Sequence, residues 1–105
     1  LMLDSTVSFA DVKLNTNSYS LTGDKGSCTL SKTEGQLLEF FIKNPNQTLP
    51  RNTIISKIWG PDGAVEDGNL DNYMYFIRRR LAKISSRVSI RTIRGVGYQL
   101  EETDV

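Results

Sequence analysis

Histidine is absent from this chain of 105 residues. That removes the commonest metal ligand and the commonest general base, so hydrolytic and metal-dependent chemistry lose their usual side chains. Cysteine occurs once, as Cys28, which excludes an internal disulfide. Cys28 reads as a core residue, because a reactive thiol needs an electropositive, accessible setting and its sequence neighbours supply none. No apolar run approaches the roughly 18 residues that a membrane span needs. Leu1-Met2-Leu3 is followed at once by Asp4, so it does not read as a signal peptide and a cytoplasmic location is expected. The carboxylates are dispersed, with no nucleophile and base beside them. No enzymatic activity, cofactor or metal site is therefore expected.

What is present is ordinary for a folded soluble domain: 38% hydrophobic and 24% charged residues with a mean hydropathy of -0.33. The length fits one domain with one core. The reading is a linker remnant over 1–6, a domain over 7–102 and an acidic tail over 103–105. Charge is not spread evenly. The whole chain is only +1, yet between Asn69 and Arg94 seven cations (Arg78, Arg79, Arg80, Lys83, Arg87, Arg91, Arg94) stand against one acid, Asp71.

That basic stretch begins with an amphipathic pattern. Leu70, Met74, Ile77, Leu81 and Ile84 recur in steps of four and three, the spacing of a helix lying on a core. The predicted helix, 69–84, turns Asn72, Phe76, Arg79 and Lys83 outward, flanked by Asn69, Tyr75 and Arg80. A face of amide, aromatic and cationic groups without a carboxylate suits nucleic acid. A solvated charged face is the plain alternative. Upstream, the runs Val7–Phe9, Val12–Leu14, Tyr19–Leu21 and Ser27–Leu30 alternate apolar and polar residues between turn clusters, predicting a small antiparallel meander. Ser31-Lys32-Thr33-Glu34 is a capping box opening a helix through Leu37, Leu38 and Phe41, which Pro45 stops near Asn44. Gly35 sits awkwardly inside it and leaves a small gap. Pro50 opens a second helix, Arg51 to Trp59, with Ile54, Ile55 and Ile58 inward. Gly60 to Gly68 cannot continue a helix and forms an acidic loop with Asp62, Glu66 and Asp67. Downstream, two strand-like runs flank Arg94-Gly95-Val96-Gly97, whose glycines permit positive φ in a hairpin with Arg94 near its tip.

Three blocks carry a family resemblance: Leu30-Ser31-Lys32-Thr33-Glu34 with Leu37-Leu38; Arg51 through Trp59-Gly60; and Leu70-Asp71 through Arg80-Leu81 into Thr92-Ile93-Arg94-Gly95-Val96-Gly97-Tyr98. In this order and spacing the chain resembles the C-terminal effector domain of OmpR/PhoB-type response regulators. The resemblance implies an α+β winged helix-turn-helix with an N-terminal four-stranded antiparallel sheet, three helices and a C-terminal hairpin wing. It implies binding of double-stranded promoter DNA, with 69–84 in the major groove and Arg94 in the minor groove. It also implies an N-terminal receiver domain served by a histidine kinase, dimers on direct repeats, and a contact of the 60–68 loop with RNA polymerase. Two positions depart from the family pattern: Gly35 stands where an aromatic residue is usual, and Gly68 where an arginine is usual. Tyr73, Tyr75 and Phe76 replace frequent histidine, serine or arginine positions.

Within that frame the outward residues divide by their chemistry. Asn72 can pair bidentately with adenine, and Phe76 can press on a thymine methyl. Arg79 can read guanine or bind phosphate, and both remain open. Arg80 and Lys83 suit phosphates, which set affinity and salt dependence. Asn69, Tyr73 and Tyr75 complete the candidate contacts on this helix. Arg94 suits a narrow A·T-rich minor groove. Thr92, Arg51 and Trp59 are candidate backbone contacts, with Trp59 a core residue first. Asp71 and Arg78 are assigned to an ion-pair network in preference to base contact. The competing function is a winged-helix interaction module working through Asp62, Glu66 and Asp67.

Overall fold

The computed structural model describes residues 5–60, 67–84 and 87–103. Four short strands come first, β1 (Thr6–Phe9), β2 (Val12–Asn15), β3 (Ser20–Gly23) and β4 (Gly26–Thr29). They pair in that order as the antiparallel meander the alternation predicts. Val12, Leu14 and Leu21 are buried on the inner face, with Val7, Phe9 and Cys28 packed beside them. Burial holds the Cys28 thiol above its ordinary value, against the pull of Arg80. Thr6, Ser8, Lys13, Thr22, Ser27 and Thr29 face outward. Thr6 belongs to β1 and not to a linker, since it pairs with Asn15. Ser5 is held too, its carbonyl accepting from the Thr16 N–H at 2.6 Å and the Thr16 hydroxyl at 2.7 Å. A polar linker residue and the outward residue of an edge strand have the same composition, which is why the boundary shifts.

Helix α1 (Lys32–Lys43) starts on the capping box: the Glu34 N–H donates to Ser31 Oγ at 3.2 Å and the Ser31 N–H to Glu34 Oε1 at 2.9 Å. It ends at Asn44, whose N–H donates to the Phe41 carbonyl and whose side-chain amide donates to the Phe40 carbonyl. The expected gap at Gly35 is filled. The Tyr19 ring lies over it, and a Cβ at Gly35 would stand 2.2 Å from Tyr19 Cδ1 and 2.4 Å from Cγ. An aromatic side chain supplied from the turn before β3 thus occupies the space.

A short strand, β5 (Thr48–Pro50), follows and leads into α2 (Arg51–Trp59), with Pro50 as the helix cap. β5 pairs antiparallel with β7 (Gly97–Glu102), which pairs with β6 (Val88–Ile93). The expected two-stranded wing is therefore part of a three-stranded sheet of order β5-β7-β6. A proline is tolerated at the edge of that sheet. The β6–β7 turn uses only one glycine for its conformation: Gly95 has φ 78°, as the third position of a type II turn requires, and the Val96 N–H donates to the Ile93 carbonyl at 3.0 Å. Gly97 serves another end, close approach of β5.

Helix α3 (Asp67–Ile84) begins two residues earlier than the pattern predicts. Asp67 and Gly68 therefore sit in its first turn and not in the loop. Asp62 and Glu66 lie outside the described residues. Leu70, Met74, Ile77, Leu81 and Ile84 are all buried, and α3 packs on β3, β4, β6 and α1. One hydrophobic cluster runs from Val12 and Leu14 through α1 and α3 to Ile90 and Leu100. It holds α3 with its other face outward.

Candidate nucleic-acid interface

The outward face of α3 is built by subtraction. With five apolar residues committed to the core, Asn69, Asn72, Tyr75, Phe76, Arg79 and Lys83 are left exposed. Tyr75 is 53% and Phe76 46% accessible, and with Val96 in the wing turn they are the exposed large hydrophobic side chains among the described residues. The two rings meet edge to face, centroids 5.4 Å apart. Phe76, Arg79, Arg80 and Lys83 line one shallow groove along the helix. No carboxylate among the described residues lines it.

Tyr73 does not join this face. Its ring packs on Trp59 with centroids 5.7 Å apart, and both side chains lie half-buried against the core. The end of α2 covers this flank of α3, which helical spacing alone does not reveal.

Three further arginines are held by partners distant in sequence. Arg51 does not point freely outward: its Nη1 donates to Asp71 Oδ1 at 2.7 Å and to the Tyr98 hydroxyl at 3.4 Å, and the Tyr98 hydroxyl itself donates to Asp71. The hydrogen bond from Arg51, followed by that from Tyr98, lowers the Asp71 pKa. The same pairing with Asp71 raises Arg51, while burial first and then Asp71 raise Tyr98. A depressed carboxylate contributes stability that is fully present above its unfolded value of about 3.9 and is lost as pH falls through the lower folded value. Arg78 Nε donates to the Ile90 carbonyl at 2.8 Å, and its Nη2 donates to Thr92 Oγ1. Its guanidinium also lies over the Tyr98 ring at 5.5 Å. Asp71 and Arg78 are thus the links from α3 to α2 and to the wing sheet, and the Thr92 hydroxyl is already engaged.

Arg80 Nε lies 3.3 Å from Glu34 Oε1. Glu34 is a buried carboxylate, so one oxygen serves both the cap of α1 and a cation on α3. Sequence reasoning found the cap and missed the second use, since residues 46 positions apart leave no local signal. Arg79 differs from all of these in having, among the described residues, no partner distant in sequence. It meets no carboxylate among the described residues, and its contact is with Tyr75: guanidinium carbon 5.7 Å over the ring and Nη1 3.4 Å from the hydroxyl. Arg94 is exposed at the wing turn. No group of histidine, cysteine or acidic side chains that could hold a metal ion occurs among the described residues, and no helix there is long and apolar enough to cross a membrane.

Three helices with a meander before them, a wing sheet after them and, on the third helix, a cationic stripe with no acid among the described residues define a DNA-binding winged helix-turn-helix. The chain belongs to the family described as transcriptional regulatory protein, C terminal, whose profile matches residues 25–100, and within it to the OmpR/PhoB-type effector domains. Over 92 residues it is 38% identical to the transcriptional regulatory protein DltR of Streptococcus agalactiae, covering 88% of this chain and 41% of that protein. It is 33% identical over 100 residues to the heme response regulator HssR of Staphylococcus saprophyticus, covering 95% and 45%. The chain thus spans under half the length of these relatives. Among solved structures, the C-terminal domain of the nisin resistance regulator NsrR superposes with a TM-score of 0.79 at 26% identity, covering 93% of this chain and 99% of that one. The DNA-binding domain of E. coli CadC, at 20% identity, shares the fold with a TM-score of 0.83, covering 97% and 96%.

Proposed function

We propose that this domain is the output half of a two-component transcriptional regulator and that it recognises promoter DNA by laying α3 in the major groove. The observation that carries the reading is the exposed stripe Asn72, Phe76, Arg79 and Lys83, which has no acid on it, while Arg51 and Arg80 are occupied by Asp71 and Glu34. Asn72 and Phe76 supply base contacts, Lys83 and Asn69 phosphate or sugar contacts, and Arg94 enters the minor groove beside α3's site. Arg80, Arg51, Thr92, Tyr73 and Trp59 act chiefly by holding the elements in place. On this reading the remainder of the protein carries a receiver domain phosphorylated through a histidine kinase. Two copies bind direct repeats in the cytoplasm, and Asp62, Glu66 and Asp67 are the residues that would meet RNA polymerase.

Selection of bound duplexes from a random library at moderate salt tests the reading. The expected product is a direct repeat with half-sites about one helical turn apart. Recovery of no motif, with retention vanishing as salt rises, would leave only backbone electrostatics and refute sequence-specific recognition. On the selected duplex, Arg94→Ala should weaken binding and lower the slope of log K against log salt by about one unit. Arg80→Ala should lower it by less, because Glu34 neutralises that cation in the free protein. An unchanged slope for Arg94→Ala would mean that the wing turn does not reach DNA.

A further inference from the structure

We infer that Tyr75 is a positioning residue that holds Arg79 for bidentate recognition of a guanine, so that Arg79 reads a base and does not serve as one more phosphate contact. This role rests on the DNA-binding reading above. Three observations support it. First, Arg79 lies one helical turn after Tyr75 with its guanidinium over the ring and within reach of the hydroxyl. Residues four apart on a helix are neighbours on the same face. Second, Phe76 buttresses that ring edge to face, so the aromatic pair is a supported surface and not a single swinging side chain. Third, Arg79 meets no carboxylate among the described residues, in contrast to Arg51, Arg80, Arg87 and Arg91.

The chemistry follows from shape. A guanidinium is planar with its donors in a fixed fork, and it stacks on aromatic faces. Contact with the ring and its hydroxyl restrains the guanidinium from one side, while an outer edge remains to donate two parallel hydrogen bonds. Guanine offers O6 and N7 along its major-groove edge as the matching pair of acceptors. A phosphate contact needs no such restraint, because any approach of positive charge gains the same counterion release. Lys83, which shares the groove with Arg79, is a mobile point charge suited to that task. The brace therefore adds nothing to electrostatic affinity. It sharpens discrimination at one base pair.

The test runs the random-duplex selection in parallel on the 105-residue chain and its Arg79→Ala, Tyr75→Ala and Tyr75→Phe variants, followed by salt titrations on the selected duplex. All three substitutions are at exposed positions, and melting curves should coincide with that of the unmodified chain. The expected result is a guanine at one half-site position whose preference drops roughly tenfold or more in Arg79→Ala and about two- to fivefold in Tyr75→Ala. Tyr75→Phe, which keeps the ring, should retain most of the preference. Replacing that guanine by 7-deazaguanine, which lacks the N7 acceptor, should weaken the unmodified chain and leave Arg79→Ala unaffected. Equal base preference in the unmodified chain and Tyr75→Ala would overturn the brace. So would an Arg79→Ala variant that weakens all duplexes uniformly with a slope lower by about one unit. If the unmodified chain selects no motif, the DNA-binding reading itself fails and the assignment of Arg79 falls with it.

Discussion

Replacing Gly97 with alanine should cost about 3 kcal/mol of stability, the upper part of the range for forcing atoms into a packed site. For a domain of this size that lowers the melting temperature by roughly 10–20 °C. The cause is not backbone strain. Gly97 pairs with both Ile93 and Pro50 as an ordinary strand residue, and alanine could adopt its conformation. What alanine cannot do is share the space. Its Cβ would stand 2.0 Å from the Leu49 carbonyl oxygen, 2.9 Å from the carbonyl carbon and 3.0 Å from the Arg51 nitrogen. All three are backbone atoms, so no side-chain rotation relieves the clash and β5 must leave β7. The first residue of α2 would move with it, since the Arg51 N–H donates to the Val96 carbonyl at 3.0 Å and its guanidinium holds Asp71 on α3. Gly95→Ala is the contrasting control. Nothing lies within 4 Å of its Cβ, and only its φ of 78° opposes alanine, a penalty of about 1–2 kcal/mol. Thermal unfolding of both variants by circular dichroism checks the argument. A Gly97→Ala melt no lower than that of Gly95→Ala would show that β5 can move aside at little cost.

These two glycines also show where sequence reasoning reaches its limit. Both were legible as turn formers, because Arg94-Gly95-Val96-Gly97 lies between two strand-like runs. Only the fold separates the one that needs positive φ from the one that admits a neighbouring backbone. Local signals translated well. The Ser31–Glu34 capping box, the Pro50 entry to α2 and the apolar stripe of α3 each depend on residues within a turn or two of one another, and each forms. β5 was not legible: its three residues include a proline and its partner Gln99 lies 51 positions after Thr48. The same distance hid the pairing of Arg51 with Asp71 and of Arg80 with Glu34, so cations that looked equivalent along the chain are not equivalent in space. The gap that local pattern implies at Gly35 is closed for a related reason. Tyr19, with φ 58°, comes from a separate turn to fill it. The candidate face of α3 was readable as a face, but the division of its residues into held and unheld required the folded chain.

Gly23→Ala tests whether the N-terminal meander does more than cover the core. A Cβ there would lie 2.3 Å from the carbonyl oxygen of Ile84 and 2.9 Å from its carbonyl carbon. Ile84 is the last residue of α3. The final carbonyls of a helix have no partner within the helix, and here the β3–β4 turn supplies one, the Lys25 N–H donating to the Ile84 carbonyl at 2.9 Å. The junction after α3 is tied to the same region: Arg87 reaches Glu102 on β7 at 3.6 Å, Asp11 at 3.9 Å and Asp24 at 4.0 Å. Alanine at position 23 must push the β3–β4 turn away from the helix end, separating Lys25 from its acceptor, at about 2 kcal/mol. Because the displaced contact seats the C-terminal end of α3, duplex binding should weaken several-fold even at temperatures well below the melt, where the domain is still folded. Denaturant titration gives the stability loss, and binding to the selected duplex at low temperature gives the affinity loss. Lower stability with unchanged affinity would show that the meander supports the core without orienting α3. Loss of both would make the β3–β4 turn part of what aims the helix at DNA.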